Sequence, residues 1–258
     1  MISLKQRLQN GELVLGIMVS EVRNPNIAYM LAQAGFDFVV IDNEHGSYSV
    51  ETISNMIAAA RGANLPVIVR IAEVRRETVL KPLDAGATGL LVPMIDTPEQ
   101  ATQLVQYAKY PPQGIRGAAL RRPHSLYARV DATEHLAQAN RDTFIAVQVE
   151  SREGVENAES IAAVEGVDCV FVGPFDLSVS LGFPGQLDHP EEVAAIDRVI
   201  EACQSQGKIA GTLMLDAAML RSWISKGMRF VMCGSDISLL ADAARVAVAE
   251  LRASVGRT

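Results

Sequence analysis

The stretch VDCVFVGPFDLS, residues 167–178, decides how the rest of the chain is read. Asp168–Gly173 is a short, nearly continuous apolar run, the pattern of a strand buried on both faces. It breaks at Gly173-Pro174 into Phe175-Asp176-Leu177-Ser178, which reads as the start of a helix that Asp176 is suited to cap. Strand, break and helix make one βα unit, and the unit recurs along the chain. Further strands are read at Leu13–Val19, Phe36–Ile41, Pro66–Ile71, Gly89–Pro93, Thr143–Glu150, Ile209–Leu215 and Arg229–Gly234. Helical spacing lies between them at Val50–Arg61, Arg76–Ala85, Pro98–Tyr107, Glu153–Ala163, Glu191–Gln206 and Ala217–Ser225, with Leu239–Leu251 closing the chain.

Eight such units in 258 residues fit the roughly 250 of a single (β/α)8 TIM barrel, so one α/β domain over residues 1–258 is expected. No GxGxxG follows the first strand, which removes the dinucleotide-binding fingerprint. The longest irregular piece runs from Tyr110 to about Glu134 and carries Arg116, Arg121, Arg122 and Arg129. A loop of that length is functional or mobile.

With 49% hydrophobic residues the chain can bury a full core, and its net charge of −7 argues against a nucleic-acid or membrane partner. An anionic small molecule is not excluded, since one placed arginine overrides the global sign. Cys169, Cys203 and Cys233 lie far apart with no CxxC, which argues against disulfides or zinc and fits a cytoplasmic location. Residues 1–12 open like an amphipathic helix without a signal-peptide core, and no apolar run approaches the length of a membrane span.

Barrel enzymes do their chemistry at the C-terminal ends of the strands. Polar residues gather there: Asp42-Asn43-Glu44-His45 after strand two, Arg70 on strand three, Gln148 and Glu150 on strand five, Asp176 after strand six. Each alone has an ordinary reading as a cap, a loop histidine or one half of an ion pair. Together at one rim they read as a site. Glu150 and Asp176, hard-oxygen ligands from adjacent strands, suit magnesium or manganese, with cobalt a further candidate. Arg70 suits a carboxylate or enolate oxygen through its planar fork of donors. Gly173 and its neighbours offer backbone N–H groups at a helix start, a seat for a carboxylate. The five lysines (Lys5, Lys81, Lys109, Lys208 and Lys226) all miss the C-terminal rim, so a Schiff-base mechanism has no candidate.

These residues carry a resemblance. IDNEH at 41–45, LVPM at 91–94, YPPQGIRG at 110–117, QVE at 148–150 and VDCVFVGPFDLS at 167–178 occur in the order found in the HpcH/HpaI family of class II pyruvate aldolases. That family is typified by 4-hydroxy-2-oxoheptanedioate and 2-dehydro-3-deoxyglucarate aldolases, and the similarity spans essentially the whole chain. It implies a barrel of the phosphoenolpyruvate/pyruvate type. It also implies a divalent metal on Glu150 and Asp176, and an enolate neutralised by Arg70, with Gln148 beside the bound keto acid. His45 is implied as a base acting through a metal-associated water, with Asp42 and Asp84 supporting it. The backbone at Phe175 and Asp176 is implied as the seat of the pyruvate carboxylate. The implied assembly is a homohexamer, a trimer of dimers that exchange the last helix, with Asp84 and the Ala118-Ala119 loop reaching a neighbour's site. The chain departs from the family pattern at Asn43, Gly46-Ser47, Arg75-Arg76 and Leu120–Tyr127. The metal and pyruvate half therefore matches, and the departures bear on the half that grips the aldehyde. The expected reaction is cleavage of a 4-hydroxy-2-oxo acid to pyruvate and an aldehyde, and its reverse. A barrel lyase acting on a 3-hydroxy acyl-CoA ester, its phosphates met by Arg121, Arg122 and Arg129, and a non-catalytic binding barrel both stay open.

Overall fold

The computed structural model describes residues 2–254; Met1 and residues 255–258 of the expected domain lie outside the described residues. Eight strands form one closed barrel: β1 (Val14–Val19), β2 (Phe38–Asp42), β3 (Val67–Arg70), β4 (Gly89–Val92), β5 (Phe144–Val149), β6 (Cys169–Val172), β7 (Ile209–Leu213) and β8 (Phe230–Ser235). All pairings are parallel, and β8 closes on β1 through a register shift between Gly16 and Met18. The helices are α1 (Leu4–Gln9), α2 (Ile27–Gln33), α3 (Val50–Gly62), α4 (Arg76–Ala85), α5 (Pro98–Ala108), α6 (Ala132–Asp142), α7 (Arg152–Glu156), α8 (Ala158–Ala162), α9 (Pro174–Leu181), α10 (Pro190–Ser205), α11 (Ala217–Lys226) and α12 (Asp236–Ser254).

Two apolar layers hold the fold. The outer one lies between strands and helices, where Val39, Ile41, Val67, Val69, Val147, Val149, Val170 and Val172 meet apolar faces such as Ile53/Ile57 of α3 and Ile196/Val199 of α10. The inner one fills the barrel with Phe38, Phe144, Phe171 and Phe230; Phe38 and Phe230 stack at 4.2 Å between centroids. These rings fit because Gly16 and Gly211 carry no side chain: a Cβ at Gly16 would collide with the Phe38 ring. Each buried ring stabilises the fold by roughly 1.5–3 kcal/mol. Below them α1, started by a Ser3/Gln6 capping box, buries Leu4 and Leu8 as a plug at the N-terminal end.

Several local expectations need correction. The single helix expected over Glu153–Ala163 is two short ones, α7 and α8, separated at Asn157, whose side-chain amide donates to the Asp96 carbonyl. The cap of α9 is Gly173, and Asp176 sits inside its first turn. The long arginine-bearing segment, which needs no such correction, is tied down at its start and near His124. Lys109 Nζ donates to the Asn140 and Thr143 carbonyls (2.7 and 2.8 Å), and Asn140 exchanges two hydrogen bonds with the Tyr110 backbone. Further along, His124 Nε2 donates to the Ala119 carbonyl (3.1 Å), which leaves its Nδ1 to accept from His135 of α6 at 3.0 Å. Lys109 is buried and its amine pushed down to about 8 by that burial; it stands beside Thr143, at the start of β5 and the opposite end of that strand from Glu150. Among the described residues no helix is long and apolar enough to cross a membrane.

Candidate active site

Parallel register places the ends of β2 and β3 side by side, with Asp42 opposite Arg70. Both are buried, and the pair is bidentate: Arg70 Nε and Nη2 donate to the two Asp42 oxygens at 2.9 and 2.8 Å. Burial alone would raise the Asp42 carboxyl. The bonds and charge of Arg70, helped by backbone N–H groups of Glu44 and His45, outweigh it and hold Asp42 below the usual carboxylate range. On the free edge of the guanidinium, Nη1 lies 3.0 Å from Glu44 Oε2. The Glu44 carboxyl is raised, first by burial, and also by the charges of Asp42 and Asp176, against the opposing pull of Arg70 and His45.

Across the mouth, Gln148 and Glu150 leave β5 on the same face, two residues apart. Glu150 Oε1 accepts from the Met94 N–H (2.9 Å), and Oε2 accepts from the Gln148 amide. Its carboxyl is pushed up to about 7, by burial first; those two hydrogen bonds oppose the shift, and the negative charges of Asp176 and Glu44 add to it. Gln148 Oε1 is buried with no hydrogen-bond partner. Gly173 lies against both: a Cβ there would run into the Glu150 carboxylate and come within 2.9 Å of the Gln148 amide nitrogen. Immediately after it α9 begins, and its first-turn residues Phe175 and Asp176 are exposed at the rim. Backbone N–H groups in a first turn have no partner within the helix.

Of the rim residues read from the sequence, Asp42 pairs with Arg70, Gln148 and Glu150 lie against each other and against Gly173, and the charge of Asp176 reaches Glu150 and Glu44, while Phe175 is exposed in the first turn of α9. His45 is mostly exposed, and its nearest carboxylate is Glu44, 4.0 Å from Nε2. Asp42 touches His45 only through the backbone N–H, at 3.4 Å, so its carboxylate serves Arg70 rather than the imidazole. Asp84 stays away from the rim of its own barrel. It lies on α4 and accepts from buried Arg116 at 2.8 Å. Two contributors were given no role from the sequence. Glu44 was visible within IDNEH, but its contact depends on how the chain turns after Asp42. The Met94 N–H is a backbone group and leaves no trace in residue identity.

The family model of the HpcH/HpaI aldolase/citrate lyase family matches residues 17–243. The chain belongs to that family. Its relatives include a hydroxypyruvate/pyruvate aldolase of Deinococcus radiodurans, 41% identical over 97% of this chain and 90% of that one. A 2-keto-3-deoxy-L-rhamnonate aldolase of Salmonella gallinarum is 39% identical over 93% and 89%. The crystal structure of an HpcH/HpaI aldolase from Desulfitobacterium hafniense superposes with a TM-score of 0.94 at 34% identity, covering 98% and 97% of the two chains. That agreement over nearly full length matches the closed eight-stranded barrel.

Proposed function

We propose that this family member is a divalent-metal-dependent aldolase that cleaves a 4-hydroxy-2-oxo acid to pyruvate and an aldehyde and runs the reverse addition. The observation that carries the reading is the uncompensated acceptor cluster at the mouth. Glu150, its carboxyl raised toward neutrality, feels Asp176 and Glu44 beside an unpartnered Gln148 oxygen; Arg70 pairs with Glu44, but among the described residues no cationic side chain pairs with Glu150 or Asp176. The residues present fit a hard divalent cation held by Glu150 and Asp176. Among the described residues no three His, Cys, Asp or Glu side chains form a cage, and two ligands leave positions open for substrate. Bound there, magnesium or manganese supplies Lewis-acid polarisation of the 2-oxo group.

The chain's own residues do the rest. First-turn N–H groups of α9, at Phe175 and Asp176, seat the substrate carboxylate. Arg70 spends two of its five N–H groups on Asp42 and keeps others for the oxygen that gains charge as the C–C bond breaks. One such donor is worth on the order of 3 kcal/mol at a developing oxyanion. In this reading His45 acts as the base through a water, taking the 4-hydroxyl proton. The partners are thus a small keto acid and an aldehyde.

The active form we propose is a homo-oligomer, the trimer of dimers of the resembling family. α12 packs within the chain mainly on β1 and β8, while Leu240, Val246, Val248 and Leu251 stay exposed along it. A panel of 4-hydroxy-2-oxo acids, assayed for pyruvate release after chelation and after repletion with magnesium, manganese or cobalt, tests the reading. Release should vanish on chelation and return with metal. Undiminished release from the stripped protein, or cleavage of 3-hydroxy acyl-CoA esters alone, overturns it.

A further inference from the structure

We infer that Glu44 is a positioning residue for the reaction, its carboxylate spanning Arg70 and His45 and keeping the guanidinium and the imidazole in register. The inference rests on the aldolase reading above and deepens it.

The turn after β2 is built to bring Glu44 back over the site. The Asn43 N–H still donates to the Arg70 carbonyl at 2.8 Å, in line with the sheet. The chain then folds over the Asp42 side chain, which accepts from the Glu44 and His45 N–H groups at 3.0 and 3.4 Å. Gly46 completes the turn where a Cβ would collide with the Asp42 carbonyl oxygen. The result puts the Glu44 side chain against β3 with only 19% of it exposed, Oε2 at 3.0 Å from Arg70 Nη1 and Oε1 at 4.0 Å from His45 Nε2.

The contact with Arg70 is of a particular kind. Oε2 is buried and close to Nη1, yet it accepts no directed hydrogen bond, in contrast to the bidentate clamp of Asp42 on the opposite edge. Asp42 therefore fixes the plane of the guanidinium, whereas Glu44 steadies the Nη1 edge by charge and leaves its N–H groups open to a substrate oxygen. Within the chain, the same carboxylate is the anion nearest the His45 ring. A surface acid that merely balanced Arg70 would have no reason to face both groups.

The test is a double-mutant cycle on the metal-loaded protein, with pyruvate release as readout. Glu44→Gln keeps the shape and removes the charge. It should lower kcat about tenfold with KM changed less than about threefold, because the effect is confined to the transition state. Glu44→Asp should recover part of the loss. With Arg70→Lys already in place, Glu44→Gln should cost less than about twofold more, since residues acting as a unit are not additive. Circular dichroism and Tm should match those of the unsubstituted protein. Wild-type kcat in Glu44→Gln, or fully additive losses with Arg70→Lys, overturns the inference alone. Absence of pyruvate release from the unsubstituted protein overturns the aldolase reading and this inference with it.

Discussion

Arg70 is held on both edges before any substrate arrives, by Asp42 through two hydrogen bonds and by Glu44 through charge. That arrangement keeps a buried cation paired while sparing N–H groups for a further oxygen. Lysine cannot reproduce it, because a point charge has no planar fork to clamp. Arg70→Lys should therefore retain metal affinity by calorimetric titration and lose at least about tenfold in pyruvate release. Equal activity would make Arg70 structural. Gly173 carries a second prediction at this scale. Its missing Cβ is what lets the Glu150 carboxylate and the Gln148 amide close against the start of α9. Gly173→Ala should leave the far-ultraviolet circular dichroism unchanged and weaken manganese binding at least about tenfold, an energy of roughly 1.4 kcal/mol. Unaltered manganese affinity would show that Glu150 does not need that position to be bare. Residue identity alone told which polar groups reach the rim, because strand period and barrel polarity put them there. It did not tell which of them pair. Asp42 was read into the network supporting the histidine; it clamps the arginine and meets His45 only through the backbone N–H, since the choice depends on the side-chain direction at the last strand residue.

At the scale of elements, the strands were legible because their apolar runs are short, continuous and β-branched. Each was found, with ends shifted by a few residues. Less was visible in the helices. The stretches Ile27–Gln33 and Ala132–Asp142 were passed over; the second is polar along most of its length, with Asn140 its one buried residue. The expected helix over Glu153–Ala163 has enough helical spacing to read as continuous, and only the tertiary bond from Asn157 to Asp96 marks the interruption. Within α10, Glu192 is wholly buried and neither of its oxygens has a hydrogen-bond partner; burial pushes its carboxyl from 4.5 up to about 7. The proton is held more tightly in the folded state. The stability it contributes is full below about pH 4.5 and is lost as the pH rises to about 7. The whole effect is on the order of 3 kcal/mol. Glu192→Leu should raise Tm at pH 8 by several degrees more than at pH 5, as read by scanning calorimetry. The same Tm difference at both pH values would mean that Glu192 finds a partner in solution.

The whole molecule is polar along the barrel axis. The N-terminal end is closed by α1, and the acidic mouth with its arginine sits at the other end. Asp84 and α12 belong to neither. Asp84 binds Arg116 in its own chain, and α12 leaves apolar side chains uncovered. Both observations have a place in the proposed oligomer, in which Asp84 serves a neighbour's histidine. Glu150→Gln and Asp84→Ala chains, unfolded together and refolded as mixed oligomers, should then release pyruvate faster than the two refolded apart and combined. No gain in oligomers confirmed as mixed by mass would confine each site to one chain.

The central claim is that this mouth forms a pyruvate enolate with a metal and an arginine, and without a lysine. The most direct measurement is exchange of the pyruvate methyl protons in deuterium oxide, followed by proton NMR, because it reports enolate formation with no aldehyde present. The account predicts exchange that stops on chelation, returns with magnesium or manganese, and falls at least about tenfold in Arg70→Lys. Metal-free protein that exchanges the methyl protons as fast as the loaded protein would contradict it.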